Sequence, residues 1–372
     1  MKLFLTGITG FLGSNLLKKI YKSKSIDQII VLIRAASLAE AQSKLRKALE
    51  SYEKQAFVNC FSRRLQVMLG DVSLPYFGIS RDKFEEIAHQ ITHIVHTAAD
   101  VRFHATLSEA RAVNLNGALN ILRLAKLAKP NNLQQLLHIS TAFVCGKRQG
   151  IIYEHELDNS HGFANSYEQS KYEAEKLFEQ YKAELPIIIL RPSIIVGDSD
   201  AGFTTSYNTL YYPLSMIFKG KLSYLAGYQN TLLDIVPVNF VVNAISYILL
   251  FRNNLPSNTF HLCAGSENII TAGEVIALAL QYFKNFCNRD FSSFRFLAPN
   301  RCTQNISHQD TINQIMALYQ PYISLNRLFD TANTERVLEG TNIFVPPYRD
   351  YFEKILKYGI KTNWGKLQQD AA

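Results

Sequence analysis

The chain has 372 residues, of which 47% are hydrophobic and 19% are charged, and its formal net charge is +8. This composition excludes an intrinsically disordered chain, because it supplies enough apolar side chain for one large core or two ordinary ones. The positive charge suits acidic ligands such as phosphorylated cofactors and phosphopantetheine carriers, but charge alone does not distinguish these from nucleic acid or an anionic membrane.

The cysteines are odd in number and widely spaced, and none forms a CxxC pair. We therefore expect reduced thiols and a cytoplasmic protein. The first strand begins at Lys2, so we expect no cleaved signal peptide. The longest apolar runs, such as 240–251, are shorter than the ~20 residues of a membrane-spanning helix. No basic run interleaved with aromatic residues indicates a nucleic-acid partner. The cysteines are Cys60, Cys145, Cys263, Cys287 and Cys302.

Apolar runs alternate with segments of helical spacing through the first half of the chain. This alternation predicts a parallel sheet covered by helices on both faces, which is the Rossmann-type doubly wound α/β class. The predicted strands are Lys2–Thr6, Gln28–Ile33, Leu65–Leu69, His93–Thr97, Gln135–Ser140 and Pro186–Arg191, and the predicted helices are Asn15–Ser23, Leu38–Tyr52, Asn114–Ala128 and Ser166–Leu185.

A glycine-rich turn joins the first strand to the first helix. Gly7 permits a tight turn, Gly10 lets the backbone approach a pyrophosphate, and Gly13 lets the helix pack on the strand. Phosphates would then meet the N–H groups at the start of the helix. The motif predicts a dinucleotide site formed by Gly7, Thr9, Gly10, Phe11, Leu12 and Gly13.

The end of the second strand indicates which dinucleotide binds. An NAD enzyme places an acidic residue there to bind the ribose 2′-hydroxyl, whereas this chain has Arg34. A guanidinium can pair with a 2′-phosphate that a carboxylate would repel. We therefore predict NADP(H) as the cofactor. The alternative is that Arg34 is an ordinary solvated arginine at a strand end.

The next two strands end in residues that suit the rest of a dinucleotide. Asp71 and the adjacent backbone amide of Val72 could bind adenine after the third strand. Thr97, Ala98 and Ala99 follow the fourth strand, and their small side chains would leave room for ribose and pyrophosphate.

Three histidines in the same region have a spacing that resembles a set of metal ligands. His93 and His96, however, belong to the fourth strand, whose end is expected to face the cofactor, while His89 precedes it. We therefore expect no metal site.

A tyrosine and a lysine on one helical face form the predicted catalytic pair. Tyr167 and Lys171 are four residues apart, and a nearby ammonium stabilises a phenolate and lowers the pKa of the tyrosine. Tyr172 and Lys176 repeat this spacing, but an offset of five residues rotates them by about 140° around the helix. Both pairs therefore cannot face one pocket. We choose Tyr167, which lies in the first turn after the candidate caps Asn165 and Ser166, and expect Tyr172 to pack or point outward.

The end of the fifth strand supplies a further predicted donor. Ligands bind at the carboxyl ends of strands in this class of sheet. Thr141 is therefore placed to donate a second hydrogen bond to a substrate oxyanion, with Ser140 as the alternative donor.

The alternation of strands and helices weakens after Arg191, where aromatic residues accumulate. We predict a dinucleotide-binding domain over 1–195, to which 233–265 returns as a helix and a strand. The remaining parts, 196–232 and 266–372, form a predicted substrate-binding lobe. The aromatic stretch 210–218, with Lys219 and Lys221 after it, is either core of this lobe or the lining of an acyl channel with a cationic mouth.

Together these motifs resemble the extended short-chain dehydrogenase/reductase family over residues 1–265. The resemblance rests on the glycine turn, 96–99, 114–120, 140–141, the Tyr167/Lys171 pair and 190–193. Within that family, 31–34 followed by Lys44 and Leu45 is similar to the thioester reductase branch. That branch includes fatty acyl-CoA reductases and the terminal domains of carboxylic acid reductases and peptide synthetases.

The resemblance implies that Thr141, Tyr167 and Lys171 take the catalytic positions and that Asn114 supports a proton relay. It also implies that Arg34 and Lys44 contact the 2′-phosphate of NADPH. The implied cofactor site further includes Ser140, Tyr167, Lys171, Pro192 and Ser193.

The resemblance further implies reduction of an acyl thioester to an aldehyde or alcohol. The substrate would be an acyl-CoA, or it would be delivered in trans by an acyl or peptidyl carrier protein. Residues 329–333 are similar to a C-terminal segment of fatty acyl reductases, although Asp330 could equally cap a helix that Gly340 ends.

Two alternatives remain open. The first is another chemistry on the same fold, namely oxidation of a hydroxysteroid, or epimerisation or dehydration of a nucleotide sugar. The second is a non-catalytic nicotinamide sensor, a class that commonly lacks the tyrosine and lysine present here.

Overall fold

Short runs of leucine and β-branched residues form the strands, because such residues suit a sheet that is buried on both faces. A computed structural model describes residues 1–50, 64–251, 255–299 and 316–366. Its strands in chain order are β1 (Lys2–Thr6), β2 (Gln28–Ile33), β3 (Leu65–Leu69), β4 (His93–His96), β5 (Gln135–Ile139), β6 (Gly150–Ile152), β7 (Ile187–Pro192), β8 (Ile194–Val196), β9 (Tyr224–Ala226), β10 (Leu232–Leu233), β11 (Ile235–Pro237), β12 (Thr259–Leu262), β13 (Ile270–Thr271), β14 (Arg295–Leu297) and β15 (Arg327–Phe329).

The helices alternate with the strands in the first half of the chain and dominate the second half. In chain order they are α1 (Phe11–Tyr21), α2 (Leu38–Glu50), α3 (Arg81–Gln90), α4 (Leu107–Ala128), α5 (Ser166–Glu179), α6 (Tyr211–Phe218), α7 (Val238–Phe251), α8 (Gly265–Asn268), α9 (Ala272–Cys287), α10 (Ala332–Leu338) and α11 (Phe352–Lys361).

Seven strands pair in parallel in the order β12-β7-β5-β4-β1-β2-β3. At the centre, Thr6 of β1 pairs with Leu32 of β2 on one side and with His96 of β4 on the other. The strand order reverses between β1 and β4, which is where ligands bind in such sheets, outside the carboxyl ends of the strands. The predicted Rossmann-type doubly wound fold is confirmed.

Alternation along β1 divides the apolar residues between two cores. Leu3 and Leu5 pack with α1, α2 and α7 on one face of the sheet. Phe4 packs with α3, α4 and α5 on the other face. A third core lies among α6, α9 and α11, where Tyr211, Phe283 and Tyr351 are buried.

Most predicted elements lie within a few residues of those in the structure, and helix starts differ most. Helix α4 begins at Leu107 rather than Asn114, because Thr106 and Glu109 form a capping box before it. Helix α3 was not among the predicted elements; the hydroxyl of Ser80 accepts from the backbone N–H of Lys83 and caps it. The predicted end of α2 at Tyr52 lies outside the described residues.

The second half of the chain contributes to both the sheet and the third core. Strand β12 pairs with β7, with Phe260 opposite Leu190. The apolar helix α7 belongs to the core on the α1 face of the sheet. The predicted division into a dinucleotide-binding domain and a discontinuous lobe stays a prediction. Within the described ranges, no helix has the length and apolar character needed to cross a membrane.

Candidate active site

A cavity of about 1540 Å³ opens at the carboxyl edge of the sheet. It extends from Arg34, after β2, past the glycine turn and Tyr167 to Trp364 near the end of the chain. Of the residues predicted from the sequence for the site, all except Asn114 and Lys44 line this cavity. They are Gly7, Thr9, Gly10, Phe11, Leu12, Gly13, Arg34, Asp71, Val72, Thr97, Ala98, Ala99, Ser140, Thr141, Tyr167, Lys171, Pro192 and Ser193.

The glycine turn has the shape that a pyrophosphate site needs. Gly7 has a left-handed backbone with φ of +74°, and a Cβ there would lie 2.5 Å from the amide nitrogen of Ala98. A Cβ on Gly13 would lie 2.3 Å from the carbonyl oxygen of Gly7, so helix and strand pack too closely for a side chain. At Gly10 a Cβ would meet only that carbonyl oxygen, at 3.3 Å, and would otherwise occupy the cavity. The turn therefore fits a phosphate held by the first N–H groups of α1.

At the β2 end of the cavity the structure separates two cations that the sequence grouped together. The side chain of Arg34 is 75% exposed, and its Nη1 lies 3.6 Å from Oδ2 of Asp71. The ammonium of Lys44 donates to the backbone oxygen of Arg34 at 2.9 Å and pairs with Glu40 at 2.8 Å. Lys47, one turn further along α2, lines the cavity. Lys44 therefore lies behind Arg34, and its contact with a 2′-phosphate stays a prediction.

Lys171 is held against β5. The side chain of Asn165 accepts from the backbone N–H of Glu168 at 3.0 Å and starts α5. One turn later, the ammonium of Lys171 donates to the backbone oxygen of Ile139 at 2.6 Å and lies 3.4 Å from Nε2 of His138. Burial lowers the pKa of Lys171 to about 8. An ammonium with this pKa is charged at neutral pH and close to releasing its proton.

The pKa of Tyr167 differs from the one expected from the spacing. Burial raises it to about 12, and a hydrogen bond between the Tyr167 and Thr141 side chains acts in the opposite direction. The lowered pKa expected from the Tyr167/Lys171 pair is therefore wrong for this structure, because burial outweighs the stabilising contacts of the phenolate. A phenol with this pKa keeps its proton at neutral pH.

The second tyrosine and lysine pair points away from the cavity. Tyr172 is buried, and its ring packs against Phe163 with the centroids 5.1 Å apart. The ammonium of Lys176 lies 5.9 Å from the centre of the Tyr172 ring. Neither residue is among those that line the cavity. The prediction that only one of the two pairs faces the pocket is confirmed.

The two candidate donors after β5 have different partners. The hydroxyl of Ser140 donates to a carboxylate oxygen of the buried Glu175. The hydroxyl of Thr141 accepts from the backbone N–H of Phe143 at 3.3 Å and donates to the backbone oxygen of Pro192 at 3.5 Å. Ser140 gives its proton to a buried carboxylate, whereas Thr141 gives its proton to a neutral carbonyl at the limit of hydrogen-bond distance. The geometry therefore favours Thr141 as the donor to a ligand.

Asn114 lies behind the cavity wall. Its side-chain nitrogen donates to the backbone oxygen of Asp100 at 3.0 Å and to the hydroxyl of Ser170 at 2.8 Å. Its side-chain oxygen accepts from the backbone N–H of Asp100 at 2.8 Å. Asn114 thus connects α4 both to α5 and to the segment at Asp100, which lines the cavity. These contacts position the cavity wall, and a proton relay through Asn114 stays a prediction.

The cavity wall near Tyr167 contains aromatic residues that the sequence did not single out. The rings of Phe103 and Tyr322 are stacked with centroids 5.2 Å apart, and Phe103 lies 6.0 Å from the ring of Tyr167. The hydroxyl of Tyr322 donates to the buried carboxylate of Glu168 at 2.7 Å. Burial raises the pKa of Glu168. Tyr322 is 154 residues from Glu168, and no local pattern relates the two.

The stretch 210–218 belongs to the third core. Tyr211, Leu214 and Ile217 are buried in the third core, and the hydroxyl of Tyr211 accepts from the backbone N–H of Gly197 at 2.8 Å. None of the residues 210–218 lines the cavity, whereas Tyr207 does. The alternative of an acyl channel along this stretch is therefore not supported.

The segment around Asp330 attaches to the sheet through a buried carboxylate. The side chain of Glu154 accepts from the backbone N–H groups of His261 at 2.8 Å and Asn333 at 2.6 Å. Asp330 accepts from the backbone N–H of Ala332 at 3.3 Å, and Gly340 has φ of +74° after α10. The N-cap residue of α10 is Thr331, whose side chain makes no capping hydrogen bond, so the prediction that Asp330 caps this helix is wrong. The left-handed backbone of Gly340 after the last turn agrees with the predicted end of the helix.

A family model and the similar proteins of known name indicate the same family. The NAD-binding family model described as "Male sterility protein" matches residues 5–245. Fatty acyl-CoA reductase wat of Drosophila melanogaster is 32% identical over 273 residues, which cover 65% of this chain and 52% of that protein. Probable fatty acyl-CoA reductase 4 of Arabidopsis thaliana is 24% identical over 442 residues, covering 90% of this chain and 89% of that protein. The chain thus spans about half of the fly protein and most of the plant protein.

Solved structures agree with the fold. The terminal R domain of the myxalamid PKS-NRPS biosynthetic pathway superposes with a TM-score of 0.79 at 25% identity, covering 98% of this chain and 92% of that domain. UDP-glucuronic acid 4-epimerase of Bacillus cereus, in complex with NAD, has a TM-score of 0.65 at 16% identity, covering 98% of this chain and 99% of the epimerase. The second likeness concerns the fold alone.

Proposed function

Because the chain belongs to the male sterility protein family, within the thioester reductase branch of the extended short-chain dehydrogenases/reductases, we propose that it is an NADPH-dependent acyl thioester reductase. The substrate is an acyl-CoA or an acyl group bound to a carrier protein, and the product is an aldehyde or an alcohol. We further propose that 1–195 with 233–265 bind the cofactor, and that 196–232 and 266–372 bind the substrate.

One observation carries the proposal. Thr141, Tyr167 and Lys171 line the same cavity as the turn at Gly7 and Gly10. A carbonyl held near Tyr167 and Thr141 therefore shares one space with a dinucleotide held at the turn. Placing reactants together in this way removes much of the entropic barrier to their reaction.

The residues at the β2 end of the cavity support NADP(H) over NAD(H). Arg34 and Lys47 are cations on the cavity wall at the place where a 2′-phosphate is expected, and the chain has no carboxylate at the end of β2. The carboxylate of Asp71, 3.6 Å from the guanidinium of Arg34, receives hydrogen bonds from Ser73 at 2.9 and 2.7 Å. When bound, NADPH supplies the hydride.

The protein itself supplies hydrogen bonds and a proton. The hydroxyls of Tyr167 and Thr141 donate to the substrate oxygen, which gains negative charge as its carbonyl is reduced. Lys171 keeps a positive charge near this oxygen and is held in place by the backbone oxygen of Ile139. With its raised pKa, Tyr167 stays protonated at neutral pH and can act as a hydrogen-bond donor to the substrate oxygen.

The test is a direct assay. Purified protein mixed with NADPH and a panel of acyl-CoAs of different length should oxidise the nicotinamide, followed by its absorbance, and release free thiol. NADH in place of NADPH should be a much poorer reductant. An absence of oxidation with every acyl thioester, together with reduction of NADP by an alcohol, would overturn the proposal in favour of a dehydrogenase.

A further inference from the structure

Four cations from three separate segments of the chain form what we call the basic patch, namely Lys219, Lys221, Arg289 and Lys366. Burial and the nearby charges of Lys366 and Lys221 together lower the pKa of Lys219, which places these ammonium groups close to one another. The guanidinium of Arg289 lies 4.7 Å from the centre of the Phe218 ring and donates to the backbone oxygen of Phe218 at 2.6 Å. Arg289 is thereby held next to Lys219.

Within the part of the chain that the structure describes, no acidic side chain pairs with the basic patch. Among the described residues, none of its four members takes part in an ion pair, although Lys284 pairs with the neighbouring Asp290 at 3.8 Å. Like charges held together repel one another and disfavour each other's charged form. A bound anion would remove this repulsion, and an uncompensated cluster of cations therefore suits an anionic ligand.

A strained turn joins the basic patch to the cavity. Asn363 and Trp364 have left-handed backbones with φ of +48° and +54°, a conformation that residues other than glycine rarely adopt. Such conformations persist only where the surrounding structure enforces them, and they are frequent at functional sites. Here Trp364 and Gly365 line the cavity. The ring of Trp364 lies 6.1 Å from that of Phe218. Lys366, a member of the basic patch, follows Gly365 in the chain.

The basic patch adjoins a different part of the cavity wall from Arg34. Arg34 follows β2, on one side of the sheet's point of reversal. The turn that carries Trp364 contacts Tyr207, through the hydroxyl of Thr362 at 2.7 Å, and Tyr207 follows β7 and β8 in the chain. Tyr167 follows β5, which lies between β7 and β2 in the strand order. A phosphate at the basic patch therefore belongs to a second ligand rather than to the cofactor's 2′-phosphate.

We propose that the basic patch binds the phosphate of a phosphopantetheine arm, whose acyl thioester reaches Tyr167 past Trp364. This inference rests on the proposed function and names the part of the substrate that the protein recognises. The same phosphate occurs in coenzyme A, which carries further phosphates, and in the arm of a carrier protein. In both cases the basic patch binds a phosphate that an uncharged chain joins to the thioester.

The test compares ligands that differ in phosphate. The variant Lys219→Ala/Lys366→Ala removes two charges from the patch, and Lys22→Ala/Lys24→Ala removes two exposed charges between α1 and β2, at the opposite edge of the sheet. Binding of coenzyme A and of pantetheine, which lacks phosphate, is measured by calorimetry for each protein. We expect the patch variant to lose about tenfold in affinity for coenzyme A, as two exposed charge contacts contribute about 1.4 kcal/mol together. The control variant should bind coenzyme A like the parent protein.

Activity gives a second measure and separates the two sources of the arm. The ratio of kcat/KM for acyl-CoA to that for the matching acyl-pantetheine should fall about tenfold in the patch variant. A third measurement uses acyl groups loaded on a carrier protein. If the loss of kcat/KM in the patch variant is confined to the carrier-bound substrate or to acyl-CoA, that substrate is the natural donor. Added salt should weaken coenzyme A binding to the parent more than to the variant.

Failure of this inference differs from failure of the proposed function. Unchanged coenzyme A affinity in the patch variant, or an equal loss for pantetheine, overturns the phosphate site whatever the protein reduces. If instead no acyl thioester is reduced while the patch variant still loses coenzyme A affinity, the phosphate site stands and the reductase proposal fails.

Discussion

Arg191 and Glu175 form a buried ion pair, with Nε of the guanidinium donating to Oε1 of the carboxylate at 2.8 Å. The other carboxylate oxygen accepts from the hydroxyl of Ser140. This pair connects α5, which carries Tyr167 and Lys171, to β5 and β7, whose ends line the cavity. The relative placement of the proposed catalytic groups therefore depends on charges that the solvent does not reach.

Replacing Glu175 should be costly to stability. Glu175→Gln leaves the buried guanidinium of Arg191 without its counter-charge, and we expect the free energy of unfolding to fall by about 3–5 kcal/mol. The control is Glu85→Gln, which breaks the exposed pair with Arg81 at 2.8 Å and should have a much smaller effect on the free energy of unfolding. Denaturant titrations of the variants measure both values. Similar losses for the two substitutions would contradict the role given to the buried pair.

Removing the hydroxyl of Tyr167 should abolish turnover without affecting cofactor binding. Tyr167→Phe loses the proton donor, and we expect kcat/KM for acyl-CoA to fall by about 10²–10⁴. NADPH affinity, followed by nicotinamide fluorescence, should stay close to that of the parent. Tyr172→Phe changes the buried tyrosine of the second pair and should retain activity. An active Tyr167→Phe variant would remove Tyr167 from the mechanism.

The pKa of Lys171 predicts an alkaline limit to activity. Burial lowers this pKa to about 8, so the ammonium loses its charge as pH rises through about 8. Reduction at limiting substrate should therefore decline above that pH. The pKa of Tyr167, at about 12, lies too high to cause this decline. In Lys171→Arg the charge persists to higher pH, since guanidinium has a pKa above about 12. A pH profile of that variant with an unchanged alkaline limb would exclude Lys171 as its origin.

Cofactor preference should depend on Arg34 and Lys47 more than on Lys44. Arg34→Ala should raise the KM for NADPH about tenfold or more and leave the KM for NADH nearly unchanged, because a charge-assisted contact contributes about 1.5–3 kcal/mol. Lys47→Ala should act in the same direction. Lys44→Ala should have the smallest effect, because its ammonium contacts the backbone of Arg34 and Glu40. Steady-state kinetics with both cofactors distinguish these outcomes, and a dominant effect of Lys44→Ala would reverse the assignment.

Stability should fall with rising pH through the titration of Glu154. Burial raises the pKa of this carboxyl from 4.5 to about 7, so between these values the folded chain holds a proton that the unfolded chain releases. The contribution of Glu154 to stability is therefore fully present below pH 4.5 and is lost as pH rises through about 7, at about 1.4 kcal/mol per pKa unit. The free energies of unfolding at pH 5 and pH 8 should differ less in Glu154→Gln than in the parent. Equal differences in the two proteins would argue against a raised pKa.

The sequence by itself determined the sheet, the glycine turn and the choice between the two tyrosines. Strand periodicity, the demands on φ at Gly7 and the rotation between Tyr167 and Tyr172 are all local properties, which a short stretch of chain expresses on its own. They predicted the Rossmann-type fold and just under half of the residues that line the cavity. The alternation of apolar residues in β1 is sufficient to specify two buried faces.

Only the tertiary structure decided the rest, because burial and long-range contacts depend on segments that are distant in the sequence. The spacing of Tyr167 and Lys171 indicates attraction between their charges, but it contains no information on the burial that raises the pKa of the phenol. Lys47 rather than Lys44 reaches the cavity because Arg34 and Glu40 hold Lys44. Tyr322 and Trp364 join the cavity wall through the packing of the second half of the chain, which no local pattern specifies.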